Sequence, residues 1–117
     1  MHKADAVRLR HMLEAAREAI SFLTGRTRPG LDRDRMLTLA LVRCVEVIGE
    51  AAGKVSAAMK TAHPEIPWYS ITAMRHRLIH GYSEVRLDRV WTVLCDDLSP
   101  LIATLEQLLP REGESLP

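Results

Sequence analysis

The sequence predicts an all-α fold, an antiparallel up-and-down bundle of four to five helices. Apolar residues recur at three- and four-residue spacing through long segments. Ala, Leu, Arg and Glu are frequent and aromatic residues make up only 4%, so local propensity favours helix over sheet. The loops between the periodic segments are short, which favours antiparallel neighbours. At 117 residues the chain has room for one domain, placed at 1–110 and followed by a short polar, flexible tail at 111–117.

The first helix is expected at 5–23, where Leu9, Met12, Leu13, Ala16, Ile20 and Leu23 share one face and Arg8, Glu14, Arg17 and Glu18 the other. Gly25, Pro29 and Gly30 break it, and Asp32 or Asp34 offers an N-cap for the next helix. The second helix, 33–59, is apolar nearly all round and should be the most buried. A narrow polar line through Arg43, Glu46, Glu50 and Lys54 interrupts it. Glu50 and Lys54 have the spacing of a solvated i, i+4 pair; alternatively Glu50 turns inward and holds a guanidinium or imidazole. Gly49 and Gly53, one turn apart, would let another backbone approach closely, for which packing alone is sufficient reason.

His63-Pro64-Glu65-Ile66-Pro67 reads as a loop, and Pro67 suits the start of a third helix at 68–80. Ile71, Met74, Leu78 and Tyr82 form its expected buried edge, with Gly81 as the terminating residue. A fourth helix at 87–109 carries Leu87, Val90, Trp91, Leu94, Leu98, Leu101, Ile102, Leu105 and Leu108, either kinked at Pro100 or split there into two collinear pieces.

The net charge of +1 excludes a uniformly basic nucleic-acid coat, so any such contact must be local. One modest patch qualifies: Arg75, Arg77, Arg86 and Arg89 outnumber Glu84 and Asp88. Cys44 and Cys95 stand singly in apolar segments and read as buried reduced thiols. His76 and His80 have i, i+4 spacing, but no acidic or cysteine ligand in that stretch completes a metal set, so no metal site is expected. Residues 1–12 contain Lys3, Asp5, Arg8 and Arg10 and lack the apolar stretch of a secretory signal. No run approaches the ~18 apolar residues of a membrane span, so a cytoplasmic location is expected.

Chemistry concentrates in Arg75-His76-Arg77-Leu78-Ile79-His80-Gly81-Tyr82. An arginine can fork onto phosphate, a histidine can move a proton near neutral pH, and a phenol lies two residues beyond. The bland reading is that Arg75 and Arg77 are solvated and His80 sits where a cation suits the helix dipole.

These residues, with Val47-Ile48-Gly49-Glu50-Ala51-Ala52, Ile66-Pro67-Trp68, Leu78-Ile79-His80-Gly81-Tyr82 and Val90-Trp91 in that order, resemble the HepT toxins of the HEPN superfamily over roughly 4–109. HepT-like chains carry an Arg, four residues, then His-x-Tyr, here Arg75, His80 and Tyr82. An Asn usually follows the motif arginine, and this chain has His76, which either substitutes for it or alters activity. The resemblance implies a HEPN fold and a metal-independent endoribonuclease toxin acting as a homodimer, with the motif at a cleft between subunits. It further implies a minimal nucleotidyltransferase antitoxin that uses ATP, with Mg²⁺ belonging to that partner, to place AMP on Tyr82.

The residues are competent for this chemistry. Metal-free RNA cleavage needs a base for the 2′-hydroxyl proton, an acid for the leaving 5′-oxygen and a cation for the phosphorane. His80 can serve as base or acid and Arg75 as cation, with His76 or Tyr82 as second proton carriers and Arg77 and Glu50 as supporting groups. On a straight helix Arg75 and His80 lie roughly 140° apart, and His76 and His80 about 40°. Either the helix unwinds before His80 or groups from two subunits converge. Two other classes remain open: a non-catalytic helical partner of a nucleotidyltransferase, and an adaptor whose basic patch binds nucleic acid without cutting it.

Overall fold

A computed structural model describes residues 1–80 and 87–110, except the side chains of residues 79 and 80. The helices are α1 (Lys3–Leu23), α2 (Arg28–Arg33), α3 (Arg35–Gly53), α4 (Ala57–Ala62), α5 (Trp68–His80), α6 (Leu87–Thr92) and α7 (Leu98–Leu108), with a π-helical turn at Val93–Asp97. No β-strand occurs among the described residues. The tail at 111–117 lies outside them.

Side-chain contacts establish the antiparallel order. Between α1 and α3, Asp5 meets Ser56 just beyond the α3 terminus, while Glu18 meets Cys44. Between α3 and α5, Gly49 faces Arg75 and Gly53 faces Thr72. Between α1 and α7, Arg10 donates to the Pro110 carbonyl at 2.9 Å and Arg17 pairs with Glu106 at 3.1 Å. In each pair the numbering rises along one helix as it falls along the other, so all three pairs run antiparallel. The core threads through every long helix, with Leu9, Leu41, Leu94 and Leu105 fully enclosed.

Helix starts follow local chemistry. The Asp34 carboxylate accepts from Leu37 N at 3.0 Å and caps α3. Gly25, with φ 76°, takes the chain through the left-handed region after α1. The first helix breaks as expected, but Pro29 and Gly30 lie within a short helix of their own, α2: proline is tolerated in a first turn, and Leu31 is buried, with its carbonyl accepting from Thr38 Oγ1 at 2.7 Å.

The expected single helix at 33–59 is two. α3 stops at Gly53, and Ser56 starts α4 by accepting from Met59 N at 3.2 Å. The buried Asp5 carboxylate takes Ser56 N at 2.8 Å and Ser56 Oγ at 2.6 Å, rewarding a turn that a continuing helix would forbid. These hydrogen bonds, the hydroxyl's first, hold the Asp5 carboxyl below the usual carboxylate range. A carboxyl depressed in the folded state stabilises the fold above its unfolded pKa, and that contribution is lost as pH falls through the folded pKa. Asp5→Asn should therefore cost on the order of 1–3 kcal/mol at pH 7 and flatten the decline in stability below about pH 4, in urea titrations across pH. An unchanged acid slope would count against this role.

Two further expectations are corrected. Cys44 is buried, its thiol pushed up to about 11 by burial and then by Glu18, whereas Cys95 is exposed. Leu94 takes the core position at this level, and the π-helical turn leaves its neighbour outside. The irregularity expected at Pro100 appears one turn earlier, at Val93–Asp97, with the proline in the first turn of α7. A widened turn accommodates a ring that would crowd the carbonyl four residues back.

Candidate active site

α5 displays the motif. Trp68 anchors its start, the indole donating to the His63 carbonyl at 2.9 Å while His63 Nδ1 contacts Glu65 Oε1 at 2.9 Å. Leu78 is buried, and Ile71 and Met74 pack against the core as their spacing predicts. This fixes the rotation of the helix and puts His76 and Arg77 on the exposed side.

Arg75 occupies a different environment. It is half-buried, with its stem laid against α3 at Gly49, and its Nε is buried with no hydrogen-bond partner among the described residues. No carboxylate ion pair engages Arg75 there, in contrast to Arg28, whose Nε reaches Asp88 at 2.7 Å and whose Nη1 reaches Asp32 at 3.1 Å. A buried guanidinium N–H is expensive to leave unpaired, so Arg75 is poised to accept an anionic partner.

Glu50 is half-exposed and pairs with Lys54 at 3.5 Å, the solvated i, i+4 arrangement. The backbone of α5 is helical through His80, whose side chain lies outside the described residues, as does Tyr82 entirely. Arg86 and Glu84 of the basic patch lie there too, while Asp88 is held by Arg28. Among the described residues no three His, Cys, Asp or Glu side chains cluster as a metal site, and no helix is long and apolar enough to cross a membrane.

Beside the motif runs an apolar hollow of about 300 Å³ between α5 and the Val93–Leu101 stretch, lined by Tyr69, Met74, Arg77, Val93, Asp97 and Leu101 among others. A second hollow of about 360 Å³ shares Met74, Arg77 and Val93 with it and extends to Asp88 and Arg89. Tyr69, on the lining of the first, is 85% exposed. Residue spacing carries no sign of this hollow, because its two walls belong to segments well separated along the chain.

Comparison with known proteins agrees with the motif. The pattern of the ribonuclease HepT-like family matches residues 12–108. A protein of Caldanaerobacter subterraneus subsp. tengcongensis named provisionally as an RNase is 30% identical over 104 residues, covering 89% of this chain and 93% of that one. A protein of Thermococcus cleftensis, whose name provisionally designates it ribonuclease HepT, is 36% identical over 75 residues, covering 64% of this chain and 68% of its own. A third, from Methanocaldococcus jannaschii and also provisionally an RNase, is 27% identical over 104 residues, covering 88% and 86%. No solved structure gives a significant match. The family match spans most of the chain, and the chain belongs to the ribonuclease HepT-like family.

Proposed function

We propose that this chain is the toxin of a toxin–antitoxin pair, a metal-independent endoribonuclease silenced when a nucleotidyltransferase antitoxin transfers AMP to Tyr82. The observation that carries the reading is Arg75, a half-buried cation whose Nε has no hydrogen-bond partner among the described residues, on the motif helix of a ribonuclease-family chain. In this mechanism His80 takes the proton from a ribose 2′-hydroxyl, and the 2′-oxygen attacks the adjacent phosphorus. The bond to the 5′-oxygen breaks, and that oxygen leaves with a proton from a second acid, His76 or the His80 of another subunit. Arg75 stabilises the charge on the pentavalent phosphorus, and the products are a 2′,3′-cyclic phosphate and a 5′-hydroxyl.

The working unit is a homodimer. The helical backbone of α5 through His80 favours the second of the two routes, convergence of groups from two subunits, over unwinding of the helix. The apolar hollow beside Arg77 supplies a surface for such an association, with the Arg77 cation and Asp97 carboxylate both on its lining. A cytoplasmic location belongs to the same reading.

In the silencing step, Tyr82 Oη attacks the α-phosphorus of ATP, pyrophosphate leaves, and the phenolic proton passes to a base of the antitoxin, which also holds the Mg²⁺. The added phosphate brings a negative charge to the cleft that serves the RNA phosphate and competes for Arg75. Intact-mass measurement after co-expression with the cognate nucleotidyltransferase tests this. One adenylyl group should be gained by the parent and none by Tyr82→Phe, which keeps the ring and removes only the acceptor oxygen. AMP on another residue, or no gain with an enzyme shown to be active, would overturn the regulatory assignment. The alternative, a non-catalytic partner of the nucleotidyltransferase, requires that the chain bind that enzyme and leave RNA intact.

A further inference from the structure

A glycine inside a helix is destabilising relative to alanine and needs a reason. Gly49 lies in the interior of α3 and is buried, without the positive φ that distinguishes Gly25. Its reason is space: a Cβ built there would overlap Arg75 Cβ and stand 3.1 Å from both Arg75 Cγ and the Ile71 carbonyl oxygen. Arg75 Cβ and the Ile71 carbonyl oxygen are fixed to the α5 backbone and cannot rotate aside. Gly53, one turn on, shows that the demand is local, since a Cβ there would meet only Thr72 Cγ2 at 3.9 Å, an ordinary contact. The tight approach is therefore centred on the motif arginine. That arginine also lacks a hydrogen bond at its buried Nε among the described residues, so its direction there depends on where its stem is gripped.

We infer that Gly49 is a positioning residue for RNA cleavage, its missing side chain setting the depth and direction from which the Arg75 guanidinium meets a phosphate. The inference rests on the reading of Arg75 as the phosphate-binding cation. A methyl at position 49 must push α5 outward or turn the arginine stem, and a misplacement near 1 Å can cost about 100-fold in rate.

The test compares Gly49→Ala, Gly53→Ala, Arg75→Ala and the double variant Gly49→Ala/Arg75→Ala, with helicity and cooperative unfolding checked by circular dichroism. Cleavage of a fluorescein-labelled oligouridine gives kcat/KM, and binding of its uncleavable 2′-O-methyl form across a salt series gives the slope of log affinity. Gly49→Ala should lose about 100-fold in kcat/KM. Its salt slope should fall by about 0.7, the loss of one phosphate contact on a single strand. Gly53→Ala should match the parent in both. The double variant should cut and bind like Arg75→Ala alone, because Gly49 acts through that side chain.

If Gly49→Ala lowered stability but left kcat/KM and slope intact, the glycine would serve packing only and the inference would fail. Should this variant not fold in buffer, the measurements are made in trimethylamine N-oxide, which favours compact states. Failure to fold there as well would also overturn the positioning role. An Arg75→Ala variant with normal activity and slope would instead refute the phosphate-binding role of Arg75, a result distinguishable from failure at Gly49.

Discussion

Replacing His80 or Arg75 with alanine is expected to remove ribonuclease activity and toxicity while leaving the fold in place. Without the proposed general acid or base, the His80→Ala enzyme should lose about 100- to 10,000-fold in kcat/KM. Arg75→Ala should lose about 100- to 1,000-fold, the usual consequence of deleting one group that stabilises developing oxyanion charge. Stability should change little for Arg75→Ala, since no ion pair or Nε hydrogen bond to a described residue is lost with it. His76→Asn restores the residue usual in HepT-like chains and should be tolerated. Initial-rate assays on RNA beside urea denaturation of each variant separate loss of chemistry from loss of fold. A His80→Ala protein that cut RNA as well as the parent would remove His80 from the mechanism.

The largest loss of stability is expected from the fully enclosed leucines. Leu41 lies with no exposed surface in α3, which contacts both α1 and α5, so Leu41→Ala should leave a cavity that three helices cannot jointly collapse. The expected cost is about 2–5 kcal/mol, a large part of the roughly 5–15 kcal/mol that holds a typical domain together. Met36, 83% exposed on the same helix, is the control, and its alanine variant should stay within about 0.5 kcal/mol of the parent. Urea midpoints at a fixed protein concentration measure both, fixed because the proposed dimer would add mass-action stability. A Leu41→Ala cost below about 1 kcal/mol would mean that α3 is not the centre of the core.

Local signals were the readable ones. The faces of α1 and α5, an aspartate cap at 32 or 34 that proves to be Asp34, and the close approach at Gly49, though not the one expected at Gly53, each follow from spacing or from one residue's chemistry. Features that depend on distant partners were not legible. The break after Gly53 rests on Asp5, far back in the chain from Ser56, and α2 persists through Pro29 and Gly30 because Leu31 has a place in the core. The exposure of Cys95 follows from a π-helical turn that periodicity cannot anticipate. At the site, residue types point to Arg75, but only the fold shows its stem gripped by α3 and its Nε without a hydrogen-bond partner among the described residues. Glu50 could face either way on the helical wheel, and its pairing with Lys54 was settled by a neighbour one turn away.

The central claim is that RNA is cut by protein side chains of this motif alone. End-group analysis of RNA incubated with the purified protein in excess EDTA tests it most directly. The parent protein should leave 2′,3′-cyclic phosphate and 5′-hydroxyl ends, and His80→Ala should leave none. Cleavage that appears only when Mg²⁺ is restored, or 5′-phosphate ends, would contradict it.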